Sequence, residues 1–273
     1  MNGRRNWVLS IVAIVVSAVV FLVPFAFIVL MAGKDRAQAS LLDFSWPHQL
    51  QFVRNFIDVV EARDYMLIIA YINSTVLTVA SVAGMVVLAA MVAFVLQRRP
   101  GRWGGFINFL VLAGLIVPPA VVPTIWVLKG TGTFGTMPGL ILVEIAFGLS
   151  FCVLLFRAFI ATIPRELDEA AVIDGAGPLR LFFRVIFPLL RSVIITAVVV
   201  QSVTVFNDFV NPLYFLPGDP TVQLTLYNFA GQYTSEYNLL FMNILLITVP
   251  PLVMFLFFNR RIVAGMTAGA IKG

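Results

Sequence analysis

The feature that most constrains the fold is a series of long stretches almost free of charge. From Val8 to Ala32 the chain has no charged side chain, and overall 60% of its residues are apolar and only 11% are charged. Soluble domains contain about 25% charged residues, whereas an apolar stretch of about 18 residues or more is typical of a transmembrane helix. The sequence therefore predicts an all-α, polytopic membrane protein.

Six such stretches predict six transmembrane helices in a single membrane domain over residues 1–273. The predicted spans are about 8–32, 65–96, 106–128, 139–160, 193–216 and 239–258. The apolar part of the first span is longer than the usual core of a signal peptide, about 7–15 residues, so we expect it to be retained. A short helix is expected around residues 50–60, outside the membrane.

The lysines and arginines predict the orientation. With the N-terminus inside, only five of these residues fall outside: Lys34, Arg36, Arg54, Arg63 and Lys129. Because cytoplasmic loops carry the excess of basic residues, both termini are predicted to be cytoplasmic, as are a loop at 161–192 and a tail at 260–273. The net charge of +5 then reflects loop arginines beside anionic lipid, and no nucleic-acid partner is expected.

Residues suited to covalent chemistry are scarce. His48 is the single histidine and Cys152 the single cysteine, so neither a His-rich metal site nor a Ser–His–Asp or Cys–His set can be assembled. A G-x-G-x-x-G match at 130–135 lacks the preceding strand of a dinucleotide site, and no P-loop motif is present. We expect no catalytic residue, metal or cofactor in this chain.

One acidic segment stands out between the fourth and fifth spans, with the sequence ELDEAAVIDGAGP at 166–178. Pro164 suits the first turn of a helix, whose positive end favours the carboxylates that follow. Gly175 and Gly177 allow a turn with positive φ, and Pro178 can begin a second helix. The pattern predicts a helix–turn–helix on the cytoplasmic surface that could fit a groove on another protein.

Polar residues also interrupt the fifth span. Four of them recur at helical spacing, namely Gln201, Thr204, Asp208 and Asn211, and Asn207 is a polar neighbour of this group. A charged group in hydrocarbon is costly, so these residues are expected to line a path through the membrane or an interface with a partner subunit. Thr204 and Asn211 are expected to offer hydrogen bonds to Asp208. Glu144, in the fourth span, is expected near the outer interface, in reach of water.

Three segments resemble a known family, the membrane subunits of bacterial ABC importers. The long motif E-A-A-x-x-D-G-A with a trailing F and P is matched by Glu169, Ala170, Ala171, Asp174, Gly175, Ala176, Phe182 and Pro188. Residues 206–215 are similar to the W-N-D-F-x-x-P-L stretch of carbohydrate permeases, with Phe206 in place of tryptophan. Residues 257–273 resemble the terminal signature of permeases related to the second permease of the maltose importer.

The resemblance implies the type I ABC importer permease fold and a sugar or oligosaccharide permease of the bacterial cytoplasmic (inner) membrane. In that family the E-A-A segment is the coupling helix, which docks into an ATPase. Six motif residues would do so here: Glu169, Ala170, Ala171, Asp174, Gly175 and Ala176. Three small residues of the tail, Ala268, Gly269 and Ala270, are expected to contact the same ATPase. The implied partners are a second, non-identical permease, an ATPase dimer that binds Mg-ATP, an extracytoplasmic substrate-binding protein and the lipid bilayer.

The residues alone leave other interpretations of the function open. The solute could be something other than a sugar, such as a glycerol phosphate compound. A membrane-embedded enzyme acting on lipid would need a catalytic set that the sequence does not supply. A stand-alone channel or secondary transporter is a further alternative, although no internal repeat supports an inverted-repeat transporter. The sequence identifies neither the sugar nor whether this subunit contacts it.

Overall fold

The computed structural model describes residues 3–98, 101–229 and 236–270, and within these ranges every regular element is a helix. The α-helices are α1 (Gly3–Ala32), α2 (Arg36–Ala39), α3 (Phe52–Arg98), α4 (Gly104–Ile116), α5 (Val121–Gly130), α6 (Met137–Ile160), α7 (Glu166–Ile173), α8 (Pro178–Leu181), α9 (Phe187–Leu189), α10 (Arg191–Phe206), α11 (Val210–Phe215) and α12 (Tyr237–Ala270). A π-helix (Phe182–Ile186) joins α8 to α9, and a 3₁₀ helix (Gln223–Asn228) follows α11.

Four helices are long and apolar enough to cross a membrane. They are α1 over Ser10–Ala32, α3, α6, and α12 over Tyr237–Phe257. A fifth candidate joins residues 178–189 to α10 across a bend of 77°. The prediction of a helical, polytopic membrane protein is confirmed, with four or five candidate spans among the described residues.

The third predicted span, residues 106–128, differs from the prediction because it is not one helix. It is divided into α4 and α5, which are separated by Pro118 and Pro119. Proline has no N–H to donate, and the residue before it avoids the helical region of φ/ψ space. Val117 accordingly adopts an extended conformation, with φ −75° and ψ 122°.

The fifth predicted span, residues 193–216, is also interrupted. α10 ends at Phe206, three residues leave the helical path, and α11 resumes at Val210. The polar residues predicted to form one stripe of a continuous helix are therefore divided between α10, the break and α11. In α3, by contrast, non-helical φ/ψ angles at Ala62–Tyr65 separate the expected short outer helix from the second predicted span.

The described chain forms two compact units. One comprises Met1–Tyr71 with Val222–Val249, and the other comprises Ile72–Thr221 with Pro250–Gly273. In the first unit Lys34 is fully buried, and its Nζ contacts Asp43 Oδ1 at 2.7 Å. The Asn55 amide donates to the carbonyls of Ala32 and Lys34 at 2.8 and 2.9 Å, which ties the start of α3 to the end of α1.

In the second unit α6 is the central helix, and it contacts α4, α10 and α11. Glycines allow the close approach. A Cβ at Gly84 of α3 would lie 2.5 Å from Ile145 Cδ1, and one at Gly114 of α4 would collide with the Ser150 hydroxyl. Small residues at helix contacts let backbones approach closely in membrane proteins. The result is a tightly packed scaffold that positions both the loop after α6 and the cavity beside it.

Candidate coupling loop and translocation cavity

The acidic loop, residues 166–178, begins with a short helix whose first turn is negatively charged. α7 starts at Glu166, and the amides of Asp168 and Glu169 donate to the Arg165 carbonyl at 2.9 and 3.2 Å. Pro164 lies just before the helix rather than in its first turn. Carboxylates near a helix N-terminus are stabilised by the helix dipole, as the sequence predicts.

The end of α7 is a glycine-terminated Schellman turn. Gly175 has φ +76°, and its amide donates to the Val172 carbonyl at 3.0 Å. The Ala176 amide reaches back to the Ala171 carbonyl at 2.9 Å. This pattern satisfies carbonyls that the helix leaves unpaired, and it favours glycine at the position with positive φ. A Cβ on Gly175 would meet no described atom within 4 Å, so the constraint in this chain is the backbone angle and not crowding.

The acidic loop is unusually exposed for a segment with apolar side chains. None of the α7 residues is buried, and Ile173 is 85% exposed while Val172 is 53% exposed. Ala171 and Ala176 pack against the core and hold the turn in place. An exposed apolar surface rimmed by carboxylates is typical of a protein–protein contact site.

An ion pair that the sequence analysis did not identify anchors this loop to α3. Arg98 Nε lies 3.0 Å from Asp168 Oδ2, with the two side chains 6% and 16% exposed. Arg98 Nη2 also donates to the Ile163 carbonyl at 2.7 Å. The sequence offers one signal for this contact, the adjacent basic residues Arg98 and Arg99 at the end of the second apolar stretch.

Further polar contacts surround this anchor. The Arg157 guanidinium contacts the Asn108 side-chain oxygen, and Arg165 Nη2 contacts the Gln97 carbonyl at 3.5 Å. A cavity of about 390 Å³ lies at the same place, lined in part by Arg98, Asp168 and Ile173. The base of the loop is therefore polar and partly open, while its tip projects away from the core.

A second feature, the α6–α11 cavity, brings together four of the five polar residues predicted from the fifth span. It has a volume of about 490 Å³. Its lining residues are Met85, Pro119, Val121, Glu144, Phe147, Gly148, Phe151, Gln201, Thr204, Asp208, Val210, Asn211 and Phe215. The α6 members recur at helical spacing and so share one face of that helix.

Both helix interruptions border the α6–α11 cavity. Pro119 and Val121 come from the break between α4 and α5, and Asp208 comes from the break between α10 and α11. Non-helical backbone at membrane depth is tolerated where it is buried in protein or lines a water-filled space. The position of the breaks therefore marks this cavity as a polar region within apolar helices.

Asn211 links the two carboxylates of the cavity. Its backbone amide donates to Asp208 Oδ1 at 3.3 Å, and its side-chain amide donates to Glu144 Oε1 at 3.1 Å. Asp208 Oδ1 also accepts from the Val210 amide at 2.8 Å, which caps the start of α11. Glu144 is only 4% exposed, so the expectation that it simply reaches water is wrong, because α11 folds over it.

The side-chain positions correct one further expectation for this span, and they separate Asn207 from the cavity. The Thr204 hydroxyl lines the cavity but donates to the Val200 carbonyl at 2.9 Å, so it does not serve Asp208. Asn207 is exposed and outside the cavity lining, and its side chain donates to the Val203 carbonyl at 2.9 Å.

The small residues of the tail lie at the end of α12. Ala268, Gly269 and Ala270 have helical backbone there, and their side chains, like residues 271–273, lie outside the described part. Among the described residues, no three His, Cys, Asp or Glu side chains are grouped so that they could hold a metal ion.

Comparison with known proteins places these features in a family. Residues 85–268 match the family described as binding-protein-dependent transport system inner membrane component. The chain is 30% identical to the diacetylchitobiose uptake system permease protein NgcG of Streptomyces coelicolor, over 99% of this chain and 91% of that protein. It is 28% identical to the melibiose/raffinose/stachyose import permease protein MelC of Bacillus subtilis, over 97% of this chain and 96% of that protein.

A solved structure shares the fold. A chain from a bacterial ABC transporter involved in the import of the acidic polysaccharide alginate superposes with a TM-score of 0.80. The match covers 95% of this chain and 97% of the other at 17% identity, so it concerns the fold alone. The family match includes both the acidic loop and the α6–α11 cavity.

Proposed function

The chain belongs to the family of binding-protein-dependent transport system inner membrane components, and from this premise we propose that it is one permease of an ATP-driven importer for a sugar or oligosaccharide. It is a multi-pass protein of the inner membrane and a transport subunit, not an enzyme. ATP hydrolysis is the task of a separate ATPase. The two relatives described above, whose names specify diacetylchitobiose and melibiose, raffinose or stachyose, support a sugar as the solute.

We further propose six membrane spans with both termini in the cytoplasm. The four long helices supply four spans, the bent segment ending in α10 continues through α11 as a fifth, and α4 with α5 forms a broken sixth. This topology puts the acidic loop on the side that carries most of the basic residues, in keeping with the positive-inside rule.

The observation that carries the proposal is the exposed acidic loop. Its turn is held by backbone hydrogen bonds and its base by Arg98, yet its tip presents Val172 and Ile173 with no covering surface among the residues that the structure describes. We assign this surface to docking with the ATPase, through the motif residues Glu169, Ala170, Ala171, Asp174, Gly175 and Ala176. The tail residues Ala268, Gly269 and Ala270 would make a second contact.

The α6–α11 cavity is this chain's contribution to the translocation path. It is lined by Gln201, Thr204, Asp208 and Asn211, and Asn207, which lies outside it, is assigned to the interface with the other permease. A second, non-identical permease would complete the path, and an extracytoplasmic binding protein would deliver the solute. ATP binding would close the ATPase dimer, and the rigidly held loop would transmit that movement to the helices around the cavity.

The proposal is tested by expressing the chain with the proteins encoded beside it. An ATPase should co-purify, and reconstituted vesicles should show ATP-dependent sugar uptake. Glu169→Lys should abolish ATPase association, whereas Asp208→Leu should impair uptake while the complex remains assembled. If no ATPase co-purifies and uptake does not depend on ATP, the importer function is refuted.

A further inference from the structure

We propose that the α6–α11 cavity binds an uncharged or cationic sugar unit directly and excludes an anionic one. This inference rests on the proposed function and names the substrate class of the same site. It depends on the charge, the hydrogen-bonding groups and the shape of the lining.

The charge of the lining is purely acidic. Glu144 and Asp208 are the ionisable residues among those that line the cavity, and no lysine, arginine or histidine stands among them. An anion brought into a poorly solvated site needs a compensating cation or several donors. Like charges brought together in such a site repel strongly. A uronate would therefore meet an acidic pair, Glu144 and Asp208, and no basic residue that could neutralise it.

The hydrogen-bonding groups suit hydroxyl or ammonium groups. Carboxylates accept strong hydrogen bonds from such donors, and Asn211 holds both carboxylates at the cavity through its two amide contacts. Gln201 adds a further acceptor. It is 5% exposed, its Oε1 lies beside Gly148, and its side chain also hydrogen-bonds Cys152.

The apolar part of the lining suits the faces of a sugar ring. Phe147 and Phe151 are three and seven positions beyond Glu144 on α6, so they lie on the same face of the helix. A pyranose presents C–H groups on its faces and hydroxyls around its rim. Aromatic side chains pack against such apolar faces, while the polar groups fix orientation. The volume of about 490 Å³ falls within the range of about 300–1,000 Å³ that is usual for small-molecule sites.

The test measures protection of a cysteine in the cavity. Thr204→Cys, in the assembled importer in lipid nanodiscs without the binding protein, should react with a water-soluble maleimide, whereas the native Cys152 is fully buried. Three disaccharide probes are compared: neutral N,N′-diacetylchitobiose, cationic chitobiose and anionic dimannuronate. We expect the first two to slow the reaction and dimannuronate to be at least tenfold weaker. Val210→Cys provides a second reporter position in case Thr204→Cys disturbs packing.

Charge is then removed without removing the acceptors. Glu144→Gln and Asp208→Asn each retain a side-chain oxygen for the contacts with Asn211 and Val210. In the double variant dimannuronate should protect as well as the neutral probe, and diacetylchitobiose should bind about fivefold more weakly, because hydrogen bonds to charged groups are the stronger ones. Asp219→Asn removes one charge from an exposed position outside the cavity and should change nothing.

The outcomes separate this inference from the proposed function. Equal protection by dimannuronate and diacetylchitobiose in the unsubstituted cavity, or no protection by any probe, overturns the inference even when ATP-dependent sugar uptake is intact. Loss of discrimination in the double variant but not in Asp219→Asn supports it. Absence of ATP-driven sugar uptake in the native importer would refute the proposed function itself.

Discussion

The buried ion pair between Arg98 and Asp168 makes the strongest prediction about coupling. It joins the end of α3 to the first turn of α7, with the two side chains 6% and 16% exposed. Removing one partner of a buried pair leaves an uncompensated charge, at a cost of about 3–5 kcal/mol. The value should be near the lower limit, because Arg98 keeps its hydrogen bond to the Ile163 carbonyl. Asp168→Ala is therefore expected to destabilise the docking of α7 by about 3 kcal/mol.

The measurement is hydrogen–deuterium exchange of the α7 amides in the intact importer. A change of about 3 kcal/mol corresponds to roughly 150-fold faster exchange through local opening. Glu166→Ala is the matched control, because Glu166 is another acid of the first turn but is exposed. It should lose only the helix-dipole interaction, about 0.3–1 kcal/mol, and so exchange no more than about fivefold faster.

The companion variant Arg98→Met completes a double-mutant cycle. If the two residues act through each other, the double variant should be little worse than Asp168→Ala alone. Equal exchange rates for Asp168→Ala and Glu166→Ala, or strictly additive effects of Arg98→Met and Asp168→Ala, would refute the role given to the pair.

Three further predictions concern other parts of the chain. Gly175→Ala should destabilise the turn after α7 by about 1 kcal/mol or more because of its φ of +76°, whereas Gly177→Ala, at φ −68°, should leave ATPase binding unchanged. The contact with Lys34 lowers the pKa of Asp43 from 3.8 to about 2, so its stabilisation should be complete above about pH 4 and be lost as the pH falls through 2. The fluorescence of a variant in which Trp46 is the single remaining tryptophan should report that loss of stability. Asp43→Asn in the same variant should abolish the pH dependence of the fluorescence. A cysteine at Ala270 should crosslink to the ATPase, while one at Asp219 should not; labelling of the Ala270 position from outside alone would reverse the topology.

Local features of this fold were accessible from the sequence, and contacts between distant segments were not. The turn at Gly175 was predictable because its signals, carboxylates before a helix and glycine after it, act within a few residues. The partners of Asp168 and Glu144 were not predictable, because Arg98 and Asn211 belong to other helices and sequence periodicity carries no information about contacts between helices. The break at Pro118 illustrates a third case: the apolar residues at 106–128 predicted one continuous helix, but two adjacent prolines divide it into α4 and α5.

The polar residues of the fifth span show where periodicity alone misleads. Spacing placed Gln201, Asp208 and Asn211 on one stripe, and the structure does bring them to one cavity. The arrangement arises differently, however, because Asp208 lies in the break between α10 and α11 and accepts hydrogen bonds from the first two amides of α11. Asn207, a polar neighbour of that stripe, has an exposed side chain and lies outside the cavity lining.

The glycine at position 148 has a consequence for how the specificity of such a permease can evolve. A Cβ there would lie 2.5 Å from Met85 Sδ and 3.3 Å from Gln201 Oε1, so any larger residue must displace the Met85 side chain or enter the cavity. Shortening Met85 or one of the lining phenylalanines removes atoms without moving a helix. Adaptation toward bulkier solutes is thus open to single substitutions, whereas adaptation toward smaller ones at this wall first requires the Met85 side chain to be repacked.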